Sequence, residues 1–268
     1  MAQVLPLQMS ESQNRKAWIQ AEGLTVRLGS TVIIEDACFT VYKGEFVSLV
    51  GLSGSGKTTM LNALAGFIPS TGRVHIPGRI GVVFQDYSVF PWMTVSENIA
   101  FGLHDLPMQQ RTQIVSRLLE MVRLTDRAGL YPAQLSGGQA QRVGIARALA
   151  PDPDVIFMDE PYASLDRFTR EDMQRWLLDV WGERQKTIVF VTHDIEEAIF
   201  LSDRIAVLHD RRIKATVEIP FSRPRREDLK YSKEFLEVKL KILEKMRGAA
   251  DMKDKRNSAL HRPADERD

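Results

Sequence analysis

The run Gly51-Leu52-Ser53-Gly54-Ser55-Gly56-Lys57-Thr58-Thr59 follows directly on the apolar stretch Phe46-Val47-Ser48-Leu49-Val50. Its three glycines let the backbone turn N–H groups inward with no side chain in the way. A helix starting behind the loop adds a dipole that favours an anion. Lys57 brings a positive charge, and Thr58 a hydroxyl suited to a hard cation such as Mg2+. Together these groups can cradle the β- and γ-phosphates of a nucleotide. Asp159 and Glu160 stand at the end of a second apolar stretch, Val155-Ile156-Phe157-Met158. Two adjacent carboxylates there are costly unless a cation or a protic group waits for them. Asp159 suits Mg2+ through water, and Glu160 suits a base that orients and deprotonates an attacking water. Phosphoryl transfer needs mainly positioning and charge neutralisation, so this short set nearly suffices.

The elements that must hold these groups alternate between strand and helix. Residues Trp18 to Val41 read as short strands separated by Gly23, Gly29 and Ser30. A helix is expected from Lys57 through Ala65, closed by Gly66 and Pro69, and another inner strand from Arg79 to Phe84. Between Thr94 and Ala150 the pattern turns helical. Thr94-Val95-Ser96-Glu97 is a capping box, and Ile114, Val115, Leu118, Leu119 and Val122 share one face of a helix over Gln109 to Leu124. Strands are expected again at Val155 to Met158, Thr187 to Val191 and Arg204 to Leu208, with a helix from Asp194 to about Leu201. Apolar strands without polar alternation need a sheet covered on both faces. The pattern is therefore a parallel α/β core interrupted by a helical subdomain. A last amphipathic helix, Ser232 to Met246, places Phe235, Val238, Ile242, Leu243 and Met246 at helical spacing for packing against the body.

Composition sets outer limits. With 36 Lys plus Arg against 35 Asp plus Glu, the chain makes no global electrostatic case for nucleic acid. Cys38, the only cysteine, sits in Ala37-Cys38-Phe39-Thr40-Val41 and reads as a buried strand thiol. No secretion signal is expected in residues 1–16, read as a flexible N-terminus, and no stretch reaches the ~20 apolar residues needed to cross a bilayer. Lys245 to Asp268 carries 12 charged residues of both signs in 24, so residues 248–268 read as a disordered tail.

Six motifs arrive in a telling order: the glycine loop, Gln85 after an apolar strand, Leu135-Ser136-Gly137-Gly138-Gln139, Asp159-Glu160, Ser164-Leu165-Asp166, and His193. In this the chain resembles the ATP-binding subunit of an ATP-binding-cassette (ABC) transporter over roughly Ala17 to Phe221. The resemblance implies an α/β fold: a P-loop NTPase core of the ABC ATPase type, with an antiparallel β subdomain and an inserted helical subdomain at about residues 94–150. It implies that ATP and Mg2+ are bound, with Thr58, Gln85 and Asp159 near the metal. His193 would grip the γ-phosphate beside Glu160, and Asp166 would communicate across a dimer. Leu135 to Gln139 would contact the γ-phosphate held by a second copy, and Ser136 at a helix N-terminus makes physical sense as a second anion cradle. A lone histidine in a buried turn is usually structural, but the run Asp194-Ile195-Glu196-Glu197-Ala198 after His193 points to function; His75, His104, His209 and His261 have no comparable context. Two departures stand out. Leu28 occupies the place of an adenine-stacking aromatic, and the 28 positions from Lys57 to Gln85 suggest trimmed outer antiparallel strands.

Phe84-Gln85-Asp86-Tyr87-Ser88-Val89-Phe90-Pro91-Trp92 is rich in aromatics, either for core packing or as a socket for a permease helix. The Phe90-Pro91-Trp92 run, Asp166 to Arg170, and Arg223-Pro224-Arg225 before the last helix resemble one importer branch. That branch serves nitrate, taurine and other sulfonates, thiamine precursors, and related small anions including reduced-phosphorus oxyanions such as phosphite, hypophosphite and phosphonate. The implied partners are a second copy, two transmembrane permease subunits and, indirectly, a periplasmic or surface solute-binding protein. The implied place is the cytoplasmic face of the inner membrane. The alternative is a soluble non-transport ABC ATPase. Repair forms need a long coiled coil between the two glycine motifs, and the 78 positions from Lys57 to Leu135 leave no room for one. Translation forms generally carry two cassettes, and one is present.

Overall fold

A computed structural model describes residues 16–86 and 89–247. The expectations for residues 1–15, for Tyr87 and Ser88, and for the charged tail from 248 onward fall outside the described residues. Strands β1 (Ala17–Leu28) and β2 (Thr31–Tyr42) form an antiparallel hairpin, and β4 (Thr71–His75) pairs with the other side of β1. Gly23 does not divide β1 as its sequence suggests. It adopts φ +63° at a register shift, so the chain bulges and continues as one strand. Gly72 of β4 passes over this bulge: a Cβ there would lie 2.5 Å from the Gly23 carbonyl oxygen.

The second sheet has six strands in the order β5 (Ile80–Val83), β6 (Val155–Asp159), β7 (Thr187–Val191), β3 (Phe46–Val50), β8 (Arg204–His209), β9 (Arg212–Glu218). The first five run parallel, and β9 returns antiparallel to β8. β5 is the edge strand rather than an inner one, and Ile80 is partly exposed as a result. Every residue of β3, β6 and β7 is buried. Successive side chains feed two different cores. Val47, Leu49, Phe157 and Val189 meet α1 (Lys57–Leu64) and the antiparallel sheet, while Phe46, Ile156, Met158 and Phe190 meet helices on the opposite face.

Those opposing helices are α2 (Val95–Ala100), α3 (Met108–Met121) and α4 (Gly137–Leu149), inserted between β5 and β6, and α5 (Arg167–Arg184). The capping box at Thr94 and Glu97 is present, and its backbone and side-chain hydrogen bonds hold the Glu97 carboxyl below the usual range. Buried Asn98 of α2 donates to the carbonyls of Phe90, Met93 and Thr94 and accepts from the N–H of Phe90, which fixes the aromatic loop before it. Cys38 is exposed, contrary to expectation: Ala37, Phe39 and Val41 point inward, so strand alternation turns the thiol to solvent.

After α6 (Ile195–Leu201) and the β8–β9 pair, α7 (Lys233–Arg247) returns to the body. It buries Phe235, Ile242 and Met246 against Val50, Ile199, Ile205 and Val217, as the helical spacing implied. The chain reaches α7 by way of Arg225, which is 8% exposed and donates to the carbonyls of Ile199, Phe200, Ser202 and Phe221. One guanidinium thereby closes the open C-terminal end of α6. Burial lowers its pKa to about 10, so it stays charged at neutral pH. Arg225→Met keeps the apolar stem and strands those carbonyls. It is expected to lower unfolding free energy by about 3 kcal/mol in urea titration.

Candidate functional site

Three neighbouring parallel strands, β6, β7 and β3, end side by side, and the loop after each contributes to one cluster. Ligands of open parallel sheets bind at such carboxyl edges. The loop after β3 wraps into α1, whose N-cap Gly56 has φ +99° and no side-chain cap. The first N–H groups of α1 therefore face the loop with no capping side chain to satisfy them. Gly51 admits no side chain, because a Cβ would lie 2.6 Å from Ser55 Oγ and closer still to the Leu208 carbonyl oxygen. Ser55 Oγ is itself buried without a hydrogen-bond partner among the described residues.

Lys57 is buried and donates to the carbonyls of Gly51 (3.1 Å) and Leu52 (3.2 Å), while its Nζ stands 3.9 Å from Glu160 Oε1. Thr58 Oγ1 donates to Asp159 Oδ1 at 3.1 Å. Asp159 pairs in register with Val191, and the Glu160 N–H donates to the Val191 carbonyl. Burial raises the Asp159 carboxyl above its ordinary pKa, with Glu160 adding to the effect and Thr58 and Lys57 opposing it. Glu160 has φ +42°, a strained conformation for a residue with a side chain, of the order of 1–3 kcal/mol. That conformation accompanies its contact with His193, whose Nδ1 lies 2.9 Å from Glu160 Oε2. His193 is exposed, since it follows β7 at the open edge of the sheet.

The structure thus brings Lys57, Thr58, Asp159, Glu160 and His193 together. Ser136, Gly138 and Asp166 are engaged at the starts of other helices. Ser136 caps α4 in a box with Gln139, and Gly138 sits so close to α5 that a Cβ would meet Thr169 Cγ2 at 2.6 Å. Asp166 caps α5 through Thr169, which holds its carboxyl below the usual range. Gln85 lies exposed beyond β5, and Leu28 half-exposed at the end of β1. A cleft of about 1380 Å³ lies elsewhere, between α5 and residues 223–228; its lining mixes both charges and includes none of the cluster. The motifs do not single out Glu197 or Gln174, both buried and polar beside the His193 turn. The available signal was a glutamate opening the otherwise apolar run Ala198-Ile199-Phe200-Leu201.

A parallel sheet whose open edge gathers a glycine loop, a paired carboxylate and a histidine defines a nucleotide-phosphate site. The comparisons narrow it further. The profile of the family described as ABC transporter matches residues 34–163. An uncharacterised ABC transporter ATP-binding protein of Methanocaldococcus jannaschii is 46% identical over 216 residues, covering 76% of this chain and 80% of that one. A nitrate import ATP-binding protein of Synechococcus elongatus is 41% identical over 75% of this chain and 79% of its own. A taurine import ATP-binding protein of Rhizobium johnstonii is 40% identical over 85% and 94%. Among solved structures, a dimeric ATP-binding cassette in a post-hydrolysis state with ADP and Pi superimposes with TM-score 0.67 at 32% identity, over 76% of this chain and all of that one. The chain belongs to the ABC transporter family.

Gly51→Ala is expected to push the loop off its carbonyl and hydroxyl neighbours. If overpacking of about 1–3 kcal/mol falls on the loop's nucleotide-holding shape, ATP affinity drops roughly 5- to 150-fold. Titration with a fluorescent ATP analogue measures it.

Proposed function

We propose that this chain is the ATP-hydrolysing, energy-coupling subunit of an import system for a small oxyanion or sulfonate. The observation that carries the reading is the Lys57–Glu160–His193 cluster beside the Thr58–Asp159 pair. The residues Gly51 to Thr59 hold the phosphates of ATP, with Lys57 turning from its loop carbonyls to the β- and γ-phosphates. Thr58 and Asp159 offer two hard oxygen ligands, and Mg2+ characteristically takes few protein ligands and keeps water and phosphate as the rest. When bound there, Mg2+ neutralises phosphate oxygens and fixes their orientation. Glu160 accepts a proton from water as its oxygen bonds to the γ-phosphorus. The bond to the bridging oxygen breaks, leaving ADP and phosphate. His193 steadies the γ-phosphate from beside Glu160.

Two copies of the chain complete each site: Ser136 caps the separate helix α4, and its hydrogen bonds are made with Gln139 and not with the Lys57–Glu160 cluster. In the pair, Ser136, Gly137 and Gly138 of one copy meet the γ-phosphate held by the other, and Asp166 lies between the two sites. Closure of the pair drives two transmembrane permease subunits, with the exposed rings of Phe84, Trp92 and Phe101 near Gln85 as the docking face. Among the described residues no helix is long and apolar enough to cross a membrane. On this reading, which the import relatives support, the chain sits peripherally on the cytoplasmic face of the inner membrane through those permeases, which a solute-binding protein supplies. The nitrate and taurine import relatives support the class of cargo.

Glu160→Gln removes the base and leaves the phosphate ligands. Turnover is expected to fall about 10²–10⁴-fold, with a dimer persisting on size exclusion in MgATP. Near-normal turnover would remove Glu160 from the base role. Ser136→Arg is expected to abolish hydrolysis with ATP binding retained, and mixing it with Lys57→Ala to restore part of the activity through one intact composite site. A monomer that hydrolyses at full rate without pairing would sink the shared-site reading.

A further inference from the structure

Thr192 directly follows β7 and immediately precedes His193. Its Oγ1 donates to Glu197 Oε2 at 2.6 Å and accepts from the Asp194 N–H at 3.0 Å. Glu197 is 4% exposed, and its other oxygen accepts from Gln174 Nε2 at 3.0 Å. Gln174 of α5, also buried, accepts through Oε1 from Lys230 Nζ at 3.0 Å. Lys230 belongs to the short helical turn Glu227–Tyr231 ahead of α7 and lies over the Phe200 ring. The hydrogen bonds therefore run unbroken from the C-terminal segment to the residue before His193.

Donor and acceptor logic fixes the direction of each link. An ammonium can only donate, so Lys230 forces the Gln174 oxygen toward itself and the amide NH2 toward Glu197. Glu197 then accepts from both Gln174 and Thr192, and Thr192 has its lone pairs left for Asp194. The charged surroundings are Asp194, and Arg170, whose guanidinium stands 3.7 Å from Asp194 Oδ2 and donates to the Leu165 carbonyl. Burial is the largest influence on Glu197 and raises its carboxyl pKa; the Thr192 and Gln174 bonds oppose it. Helix capping alone does not require this arrangement. Asp194 already accepts from the N–H groups of Glu196 and Glu197, and Glu196 occupies the same helix end from an exposed position. Desolvating a second carboxylate costs several kcal/mol, which the Thr192 and Gln174 hydrogen bonds offset only in part.

We propose that Glu197 is a positioning residue for ATP hydrolysis, holding the Thr192–Asp194 turn so that His193 meets Glu160, with Lys230 orienting the amide that holds Glu197. This inference rests on the role proposed for His193. It makes the C-terminal segment a participant in turnover.

The test uses the full-length chain with MgATP, measuring kcat, KM and melting temperature. Glu197→Ala removes both acceptor oxygens and leaves the Thr192 hydroxyl and the Gln174 amide without their partner. We expect kcat to fall about tenfold, with KM changed little because most phosphate contacts lie on other residues. Glu197→Gln keeps an oxygen for Gln174 and turns its NH2 to Thr192 Oγ1, which can accept as well as donate, so this conservative variant is expected to hold kcat within about threefold of wild type. Lys230→Met, which leaves the Gln174 oxygen without its donor, is expected to lower kcat in the same direction, and wild-type kcat there removes the C-terminal segment from turnover. Wild-type kcat in Glu197→Ala, or Glu197→Gln no better than Glu197→Ala at matched melting temperature, overturns the proposal. Should Glu197→Ala not fold, Thr192→Val is expected to show the same kcat loss with ATP binding intact, and full-rate turnover there overturns it equally. His193→Ala separates the two levels. Full activity in that variant sinks the role of His193 itself, whereas inactive His193→Ala beside fully active Glu197→Ala sinks only the positioning role.

Discussion

The parallel register of β6, β7 and β3 is what the site depends on. Asp159 faces Val191, Leu49 faces Val191 from the other side, and the Glu160 N–H closes on the Val191 carbonyl. A one-residue slip in either pairing would move the two acidic side chains to the wrong faces and hand Glu160's place to Asp159. Burial on both faces makes such a slip prohibitive, because every residue of the three strands has a core to fill. The apolar strands thereby act as the alignment device for charged groups that make no apolar contact of their own.

Those charged groups are held under tension. Lys57 and Asp159 are each 6% exposed, and desolvation works against both charges. The opposite signs of Lys57 and Glu160 lie 3.9 Å apart, an attraction that partly offsets it. Loop carbonyls hold the Lys57 ammonium where an anion would hold it better. A left-handed Glu160 adds strain in the same few ångströms. Phosphate would relieve several of these tensions together: it offers the lysine a full countercharge and the free N–H groups of α1 an acceptor.

Much of this was legible in the sequence. The glycine loop, the paired carboxylates, the unbroken apolar strands and the Thr94 capping box each express a local rule that tertiary context does not override. Where the reading departs from the structure, longer-range geometry decided. Gly23 reads as a break but is a bulge, because β4 brings Gly72 across it and continues the pairing. Cys38 reads as buried because its neighbours are apolar, yet alternation assigns only every second residue to the core. The edge position of β5 follows from strand order, which no local pattern encodes. The Thr192–Glu197–Gln174–Lys230 chain joins four segments, so no single stretch of sequence could announce it.

The outward thiol of Cys38 has a practical side. It is the chain's sole cysteine and stands on β2 of the antiparallel sheet, not on the parallel strands whose ends carry the cluster. A nitroxide or fluorophore attached there marks each molecule once and without mutagenesis. Spectroscopic distances between such labels would count and space the copies in an assembly, using nothing but the native side chain.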